Sequence, residues 1–353
     1  MKLEWNRDEM TPLQRASAIS KGMAYDRLQA KPSIGEQPAR VLGISIEDYL
    51  GDPRLMALAQ TKGFMLYGQD GVGVGPDQFA LPEAMGARLV YFRNDIPQMG
   101  EPIIKNHGDL DMLEPPDPAR DGRLPVFIEA LEIIRDRIGH IVGVGSGIGG
   151  PFTAAAFLRG TGQLLRDMRK SPELVHGLLE ITTTGVIAYM EECWRRGFGC
   201  GIGEPLASGT VISERDFVEF VKPCLFRIGE WSRKNYGKGY SLHICGDTRR
   251  IWNHMADAGA SSISLDNMVD LADAREAIGS RVSLGGNVPP VDIMLRGGRE
   301  DIYQAVKDCI SKAGDNPKGY VVGTGCRVPL GTSKENVIHF MDAVRLHGSF
   351  KKE

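Results

Sequence analysis

The segment Tyr240-Ser241-Leu242-His243-Ile244-Cys245-Gly246-Asp247 begins as a short apolar run and ends in small and polar residues. Comparable runs recur from residue 121 onwards and alternate with long amphipathic segments of helical periodicity. This alternation predicts repeated βα units, and therefore a parallel sheet that is either doubly wound or closed into a barrel. The predicted strands are His140–Val144, Gly199–Gly203, Tyr240–Ile244, Ser262–Leu265, Val282–Gly285 and Tyr320–Val322.

Polar side chains follow the predicted strands at the points where the strands end. In a (β/α)8 barrel the active site is built from the carboxyl ends of several strands. We therefore predict an α/β fold of the (β/α)8 TIM barrel type in preference to a doubly wound sheet. The residues with this placement are Glu204, His243 with Cys245, Asp266, Asn287 and Cys326.

Helices are predicted before and between the strands. An N-terminal helical segment spans Thr11–Gly22, where Pro12 suits the first helical position because an N–H is not needed there. A second helix spans Ser171–Arg196, with Ser171 as its expected cap, and a third spans Ser213–Asn235.

Residues 64–118 depart from the βα pattern, because they are rich in Gly and Pro. They also contain the strand-like run Arg88-Leu89-Val90-Tyr91-Phe92, so we predict an insertion of hairpins and loops at about residues 64–118. No Ser- or Gly-rich linker divides the chain, and residues 1–353 are expected to form a single barrel domain.

The composition indicates which classes of binding partner are not expected for this protein. A hydrophobic content of 42% and a charged content of 25% are those of an ordinary globular protein. The formal net charge is -3 and no long run of Lys or Arg occurs, so no nucleic-acid partner is expected. No apolar run approaches the roughly 20 residues that span a bilayer, and the polar N-terminus does not resemble a signal peptide. We expect a cytoplasmic protein without a membrane partner, whose six cysteines are free or bind metal.

His243 and Cys245 form a candidate metal site together with Cys326. Side chains two residues apart in an extended segment point to the same side, so His243 and Cys245 can face one ion. Cys326 also follows an apolar strand, and the ends of barrel strands converge. Two thiolates and an imidazole suit zinc, and three protein ligands leave a fourth position for substrate. In the alternative interpretation the histidine and the cysteines only pack in the core.

Four further polar residues are candidates for the pocket. Glu204 could supply a fourth oxygen ligand to the metal, or it could cap a loop. Glu204 is also a candidate catalytic residue. Asp266 and Asn287 are candidate catalytic residues too, and Asp77 is a candidate for cofactor binding. These three residues have the same two interpretations as Glu204.

Residues 145–150 match the G-x-G-x-x-G pattern, which suggests a second kind of site. In a dinucleotide-binding fold such glycines let the backbone approach a pyrophosphate. A tight loop at the rim of a barrel, followed by a helix that opens at Pro151, fits the same residues.

The chain resembles the uroporphyrinogen decarboxylase superfamily over nearly its whole length, and within it the corrinoid-dependent methyltransferases. The superfamily fold is a (β/α)8 barrel. In the methyltransferase branch an H-x-C motif and a distant Cys bind zinc, which His243, Cys245 and Cys326 match. The resemblance is carried by Met10-Thr11-Pro12 with Arg15, Asp26-Arg27, Gly150-Pro151-Phe152-Thr153, Ala207-Ser208-Gly209, Leu242 to Asp247, Gly286-Asn287-Val288-Pro289, and Gly325-Cys326-Arg327-Val328-Pro329 with Glu335-Asn336-Val337.

The resemblance implies a methyl transfer between a small molecule and the cobalt of a corrinoid, which a separate corrinoid-binding protein carries. In one direction zinc keeps a thiol of the coenzyme M type as thiolate, and Arg327 is the nearest candidate cation for a sulfonate tail. In the other, zinc polarises a methyl ether such as a methoxylated aromatic. An apolar slot for this substrate could be lined by Phe64, Met65, Phe79 or Met85.

Demethylation of a small methylated compound is slightly preferred, because the insertion is large and Gly-rich and because the sequence around Cys326 departs from the pattern of the thiol-using enzymes. Two alternatives from other classes are a tetrapyrrole decarboxylase and a non-catalytic barrel with structural zinc. The decarboxylase branch depends on an Arg-rich N-terminal segment and a C-terminal His, where this chain has Ala39-Arg40-Val41-Leu42-Gly43 and Cys326. Whether the barrel forms a homodimer stays open.

Overall fold

The computed structural model of the protein describes residues 7–349. Its strands are β1 (Gln29–Ala30), β2 (Val72–Gly73), β3 (Leu89–Phe92), β4 (Asp95–Met99), β5 (Val144–Gly149), β6 (Gly199–Gly203), β7 (Tyr240–Ile244), β8 (Ala260–Leu265), β9 (Ser283–Val288) and β10 (Tyr320–Thr324). Its helices are α1 (Pro12–Ser20), α2 (Gln37–Val41), α3 (Ile46–Gly51), α4 (Pro53–Tyr67), α5 (Ala80–Ala84), α6 (Leu124–Ile138), α7 (Pro151–Arg159), α8 (Thr161–Lys170), α9 (Pro172–Arg195), α10 (Glu214–Asp216), α11 (Lys222–Tyr236), α12 (Trp252–Asp257), α13 (Leu271–Ile278), α14 (Arg299–Ala313) and α15 (Lys334–His347).

Eight of these strands form one parallel sheet, in the hydrogen-bonded order β1-β10-β9-β8-β7-β6-β5-β2. Helices separate successive strands of this sheet along the chain. Eight parallel strands with intervening helices are a (β/α)8 TIM barrel, as the sequence predicts. The strands β3 and β4 form a separate antiparallel hairpin within the Gly- and Pro-rich segment.

Most of the longer strands lie where the apolar runs predict them. β6 and β7 have the predicted bounds, and β8, β9 and β10 overlap their predictions. The predicted strand His140–Val144 is wrong, because β5 begins only at Val144. Ile141 and Val142 instead belong to the turn that ends α6, where both donate backbone N–H groups to the carbonyl of Ile138, at 2.9 and 3.1 Å.

Gly145, Gly147 and Gly149 of the G-x-G-x-x-G match lie within β5, and Gly150 links this strand to α7, which opens at Pro151 as the sequence predicts. A Cβ atom at Gly75 would lie 2.3 Å from the carbonyl oxygen of Gly147, so the two backbones approach closely there. An extended strand does not form the tight turn that holds a dinucleotide pyrophosphate. The tight loop that both interpretations of this motif assume is therefore not formed by residues 145–149.

The predicted helices are present, with two local differences. Thr11 caps α1 through its Oγ1, which accepts the backbone N–H of Gln14 at 3.1 Å. The expected cap of α9 is wrong, because the Ser171 side chain makes no capping hydrogen bond. The third predicted helix is interrupted by a π-helical turn, Phe217–Val221, which lies between α10 and α11. Pro223 follows this turn and has no N–H for a regular helical hydrogen bond.

Residues 7–74, 129–145 and 264–349 form one compact unit, in which Asp70 is a buried ionic centre. One carboxylate oxygen of Asp70 accepts from the Arg15 guanidinium. The other accepts from Arg27 Nη1 at 2.6 Å and from the backbone N–H of Ala30 at 2.7 Å. Asp70 also donates its own N–H to the Ala30 carbonyl at 2.8 Å. The segment that leads into β2 is thereby bonded to the end of β1.

Two more carboxylates complete this centre. Asp26 accepts from Arg15 at 2.6 Å, and Asp8 accepts from Arg27 at 2.8 Å. Hydrogen bonds from the arginines lower the pKa of Asp26 and of Asp8 and oppose the effect of burial, which raises both values. The positive charges of the two buried arginines are therefore paired with carboxylates, as buried charges must be.

Residues 75–128 and 146–263 form a second compact unit, which contains β6, β7 and the hairpin. The long helix α9 packs against α7, α8 and α11 in this unit. Its core is apolar and includes Phe152, Leu178, Tyr189 and Phe220. None of the helices in residues 7–349 is long and apolar enough to cross a membrane.

Replacement of the central carboxylate tests the importance of the ionic centre. We expect Asp70→Asn to lower the free energy of unfolding by about 3–5 kcal/mol, because it removes the buried charge that faces two arginines. Urea denaturation measures this loss. The control Asp136→Asn removes one partner of an exposed pair and should change stability by less than about 0.5 kcal/mol. Equal stability of the two variants would contradict the assignment.

Candidate active site

Strand β7 presents two candidate metal donors on one side. Leu242 and Ile244 are fully buried in the core, whereas His243 and Cys245 are half-buried, because successive strand side chains point to opposite faces. His243 Nε2 lies 3.3 Å from Cys245 Sγ. Gly246 then turns the chain in the left-handed conformation, with a φ of 73°. A residue other than glycine would be strained at this turn.

Cys326 joins these two residues from the loop after β10. Its backbone carbonyl accepts a hydrogen bond from Thr324 Oγ1 at 2.7 Å, which fixes the loop against the end of the strand. One ligand atom from each of His243, Cys245 and Cys326 lies within 4.8 Å of the other two. The structure thus brings together the three residues that the sequence singles out as metal donors.

The donor group has the chemistry and spacing of a metal site. Tetrahedral zinc with bonds of about 2.0–2.3 Å would hold its ligand atoms about 3.5–3.8 Å apart. The His243 Nε2 and Cys245 Sγ atoms lie 3.3 Å apart, and all three donors lie within 4.8 Å of one another. Among residues 7–349, no other His, Cys, Asp or Glu belongs to the group. The residues could therefore supply three ligands and leave a fourth position open.

Glu204 lies at the N-terminus of α7 and not among the donors. Its buried carboxylate accepts the backbone N–H groups of Phe152 and Thr153, both at 2.9 Å, and the Thr153 hydroxyl at 2.7 Å. A Cβ atom at Gly150 would collide with the same carboxylate. Burial raises the pKa of Glu204 to about 7, although these three hydrogen bonds oppose the change. These contacts agree with the interpretation of Glu204 as a capping carboxylate and not with that of a metal ligand.

Asn287 and Asp266 brace the loop that follows β8. The Asn287 amide donates to the backbone carbonyls of Asp266 and Val269, at 2.9 and 2.8 Å. Its oxygen accepts from the Cys309 thiol at 3.7 Å, a contact that the sequence analysis missed. Asp266 accepts the backbone N–H of Met268 at 3.0 Å. These contacts position backbone, and they do not reveal a catalytic role for either side chain.

Asp77 makes a buried ion pair with Arg123, at 2.8 Å. Its Oδ1 also accepts the backbone N–H of Phe79 at 2.9 Å, and Arg123 bonds Glu83 on its other side at 2.7 Å. The pKa of Arg123 is raised because Asp77 and Glu83 outweigh the opposing effect of burial. The Asp77 carboxylate is thus paired with Arg123 inside the protein.

Arg327 is engaged by a buried carboxylate. Its Nη1 donates to both oxygens of Glu36, at 2.7 and 2.9 Å, and its side chain packs on Gly35. Glu36 pairs with this guanidinium through Nη1, while the Arg327 side chain stays 40% exposed, so a contact with a sulfonate tail stays a prediction. In the sequence Arg327 lies next to Cys326, and nothing there indicates that it pairs with Glu36, 291 positions away.

The suggested apolar slot does not form from neighbouring residues of α4. Phe64 is fully buried in the core, whereas the next residue, Met65, is 37% exposed on the other side of the helix. Phe79 packs on Phe157, with ring centres 4.9 Å apart. Met85 is buried. Phe64 and Met65 therefore cannot line one common slot, and this expectation is wrong for them.

Sequence reasoning missed one polar residue at a strand end, Lys31. It follows directly after β1, which has only two residues and leaves no periodic pattern to detect. In the sequence, this site residue is indicated only by a lysine that directly follows Leu28-Gln29-Ala30.

Comparison with known proteins identifies the family. The sequence matches the family described as Uroporphyrinogen decarboxylase (URO-D) over residues 11–347. The chain therefore belongs to the uroporphyrinogen decarboxylase family. This match covers the barrel and all three candidate metal donors.

Methyltransferases are among the relatives that span most of the chain. The methylated-thiol–coenzyme M methyltransferase of Methanosarcina mazei is 26% identical over 344 residues, which cover 96% of this chain and 90% of the relative. The methylcobamide:CoM methyltransferase MtaA of Methanosarcina barkeri is 28% identical, with 81% of this chain and 82% of the relative covered. A solved methyltransferase structure from Methanosarcina mazei has a TM-score of 0.85 at 27% identity, and the match covers 95% of this chain and 98% of that one.

The raised pKa of Glu204 leads to a prediction about stability and pH. Because the pKa is higher in the folded protein than the ordinary 4.5, the folded state holds more protons and stability falls as pH rises from about 4.5 to about 7. Glu204→Gln lacks this titration. We expect the stability of the wild type relative to Glu204→Gln to fall by roughly 3 kcal/mol over that interval.

Urea denaturation of both proteins at several pH values measures the difference. The slope should disappear above about pH 8, where Glu204 is ionised in both states. A constant difference between the two proteins from pH 4.5 to 8 would contradict the shifted pKa.

Proposed function

We propose that this protein is a zinc-dependent methyltransferase that moves a methyl group between a small thiol compound and the cobalt of a corrinoid, which a separate protein binds. The observation that carries the proposal is one imidazole and two thiols with ligand atoms within 4.8 Å of one another. Relatives named for coenzyme M or CoM methyl transfer support it, because they match most of this chain.

His243, Cys245 and Cys326 would hold the zinc ion. Two thiolates and one imidazole form a borderline-soft ligand set that favours zinc over magnesium or calcium. Bound zinc would lower the pKa of a thiol in the open fourth position, so that its sulfur is a thiolate near neutral pH.

The chain's own residues would keep this site rigid and open on one side. Gly246 turns the backbone behind His243 and Cys245, and the Thr324 hydroxyl holds the carbonyl of Cys326. Asn287 ties down the loop after β8 through two backbone carbonyls. Reacting groups that are held in place lower the entropy cost of bringing a thiol and a methyl donor together.

The thiol direction is favoured over demethylation of a methyl ether. The slight preference for an ether rests on a large, Gly-rich insertion and on a departure from the thiol-using pattern around Cys326, and apolar residues could line a slot for it. Phe64 and Met65, two of those residues, point to the core and to solvent. The relative that covers 96% of this chain is named for a methylated thiol and coenzyme M, which supports a sulfur compound as substrate.

A thiol-dependent loss of methylcobalamin tests this function. We expect the zinc-loaded protein to demethylate free methylcobalamin when a small thiol such as 2-mercaptoethanesulfonate is present, with the absorbance of methylcobalamin as the readout. Cys245→Ala should reduce the rate by more than about 100-fold, since loss of a ligand should exceed the 10–100-fold cost of losing an outer partner. The control Cys224→Ala, at a cysteine outside the donor group whose thiol donates to the Phe220 carbonyl, should keep the rate within about threefold.

Three results would contradict the proposal in different ways. Equal rates in Cys245→Ala and wild type would remove the metal donors from the reaction. No reaction with any thiol, but demethylation of a methoxylated aromatic in the presence of cob(I)alamin, would favour the ether direction. Decarboxylation of uroporphyrinogen by metal-free protein would favour the other branch of the family.

A further inference from the structure

Lys31 lies at the carboxyl end of β1, on the strand that pairs with β10. Its backbone N–H donates to the Val322 carbonyl at 2.8 Å, which extends the parallel pairing of Ala30 with Val322. Lys31 is therefore level with Gly323, near the end of the strand that leads into the Cys326 loop.

The loops after β1 and β10 are hydrogen-bonded to each other. Ser33 donates its backbone N–H to Thr324 Oγ1 at 3.0 Å, and the same hydroxyl donates to the Cys326 carbonyl at 2.7 Å. Val328 closes the connection, because its N–H donates to the Ser33 carbonyl at 2.8 Å. The position of Lys31 is thus fixed relative to a candidate metal donor by backbone and one hydroxyl.

The Lys31 side chain lies over Gly71. A Cβ atom at Gly71 would lie 3.2 Å from Lys31 Cε and 3.7 Å from Nζ, so the missing side chain makes room for the lysine. The side chain is exposed to solvent, and yet loss of hydration lowers the pKa of Lys31. Protein atoms therefore surround part of the lysine.

The ammonium group of Lys31 has no hydrogen-bond or ion-pair partner among residues 7–349. Asp70 is the charged group that favours its cationic form. The Asp70 oxygens, however, are taken by Arg15, Arg27 and the Ala30 N–H. Arg327, the cation beside Cys326, is likewise bonded to Glu36. Lys31 therefore differs from both buried arginines and from Arg327, because no carboxylate of residues 7–349 is bonded to its ammonium group.

We propose that Lys31 binds the anionic tail of the substrate, a sulfonate or carboxylate on a small thiol. This inference rests on the proposed function and names the substrate class of that site. A lysine ammonium is a point charge on a flexible stem, so it accepts either anion without a fixed geometry. Partial desolvation of the ammonium strengthens such a charge-assisted contact. Lys31 is thus a residue that selects substrate and does not take part in the chemical step.

Three thiols that share a reactive sulfur and differ in their tails test the proposal kinetically. The thiols are 2-mercaptoethanesulfonate, 3-mercaptopropionate and the neutral 2-mercaptoethanol, each in the methylcobalamin assay. We expect Lys31→Met to raise KM for one or both anionic thiols by about 10- to 100-fold and to change kcat little. KM for 2-mercaptoethanol should stay the same, and Lys31→Arg should restore most of the affinity for the anion. The control Lys62→Met, at an exposed lysine of α4, should leave all values unchanged.

A binding measurement separates this proposal from the function on which it rests. Ethanesulfonate and propionate carry the tails without the thiol, and ligand-observed NMR detects their binding to the purified protein independently of methyl transfer. Binding to wild type and Lys31→Arg, but not to Lys31→Met, would support the anion site even if no thiol reacts. Equal binding to wild type and Lys31→Met, or no binding of either anion to wild type, would overturn it. An equal rise in KM for neutral and anionic thiols would also overturn it, since a merely structural role has that effect.

Discussion

Asp70 sets the position of the elements that build one side of the candidate site. Its carboxylate holds two buried arginines and the backbone of Ala30, and its own N–H holds the Ala30 carbonyl. The two-residue strand β1 has too few backbone bonds to be fixed by the sheet alone. Once β1 is fixed, its pairing with β10 places Lys31 and the loop that carries Cys326.

Most polar residues at the strand ends support the backbone instead of facing a substrate. Glu204 caps α7, Asn287 braces the loop after β8, and Asp77 neutralises Arg123. Each would leave buried donors or charges without partners if it were removed, which is costly inside a protein. The residues for which we propose a role in the chemistry are the histidine and two cysteines of the donor group. Lys31 adds a cation whose charge no described side chain pairs.

The sequence predicts the parts of this molecule that depend on local pattern. Apolar runs gave the bounds of β6 and β7, and the two-residue spacing of His243 and Cys245 placed both on one side of β7. β1 and β2 could not be predicted from the sequence, because two residues form no periodic pattern. The predicted position of β5 is wrong because glycines replace apolar residues in this strand. Pairings such as Arg327 with Glu36 join distant parts of the chain, so they could not be read from either segment alone.

The metal content of the purified protein tests the central claim most directly. Wild type should contain about one zinc per chain by elemental analysis, because a single group of three donors is present in residues 7–349. Cys326→Ala should lose the metal, whereas Cys224→Ala should retain it. Wild-type protein that stays free of zinc after purification with added zinc, or a Cys326→Ala variant with a full complement, would contradict the account.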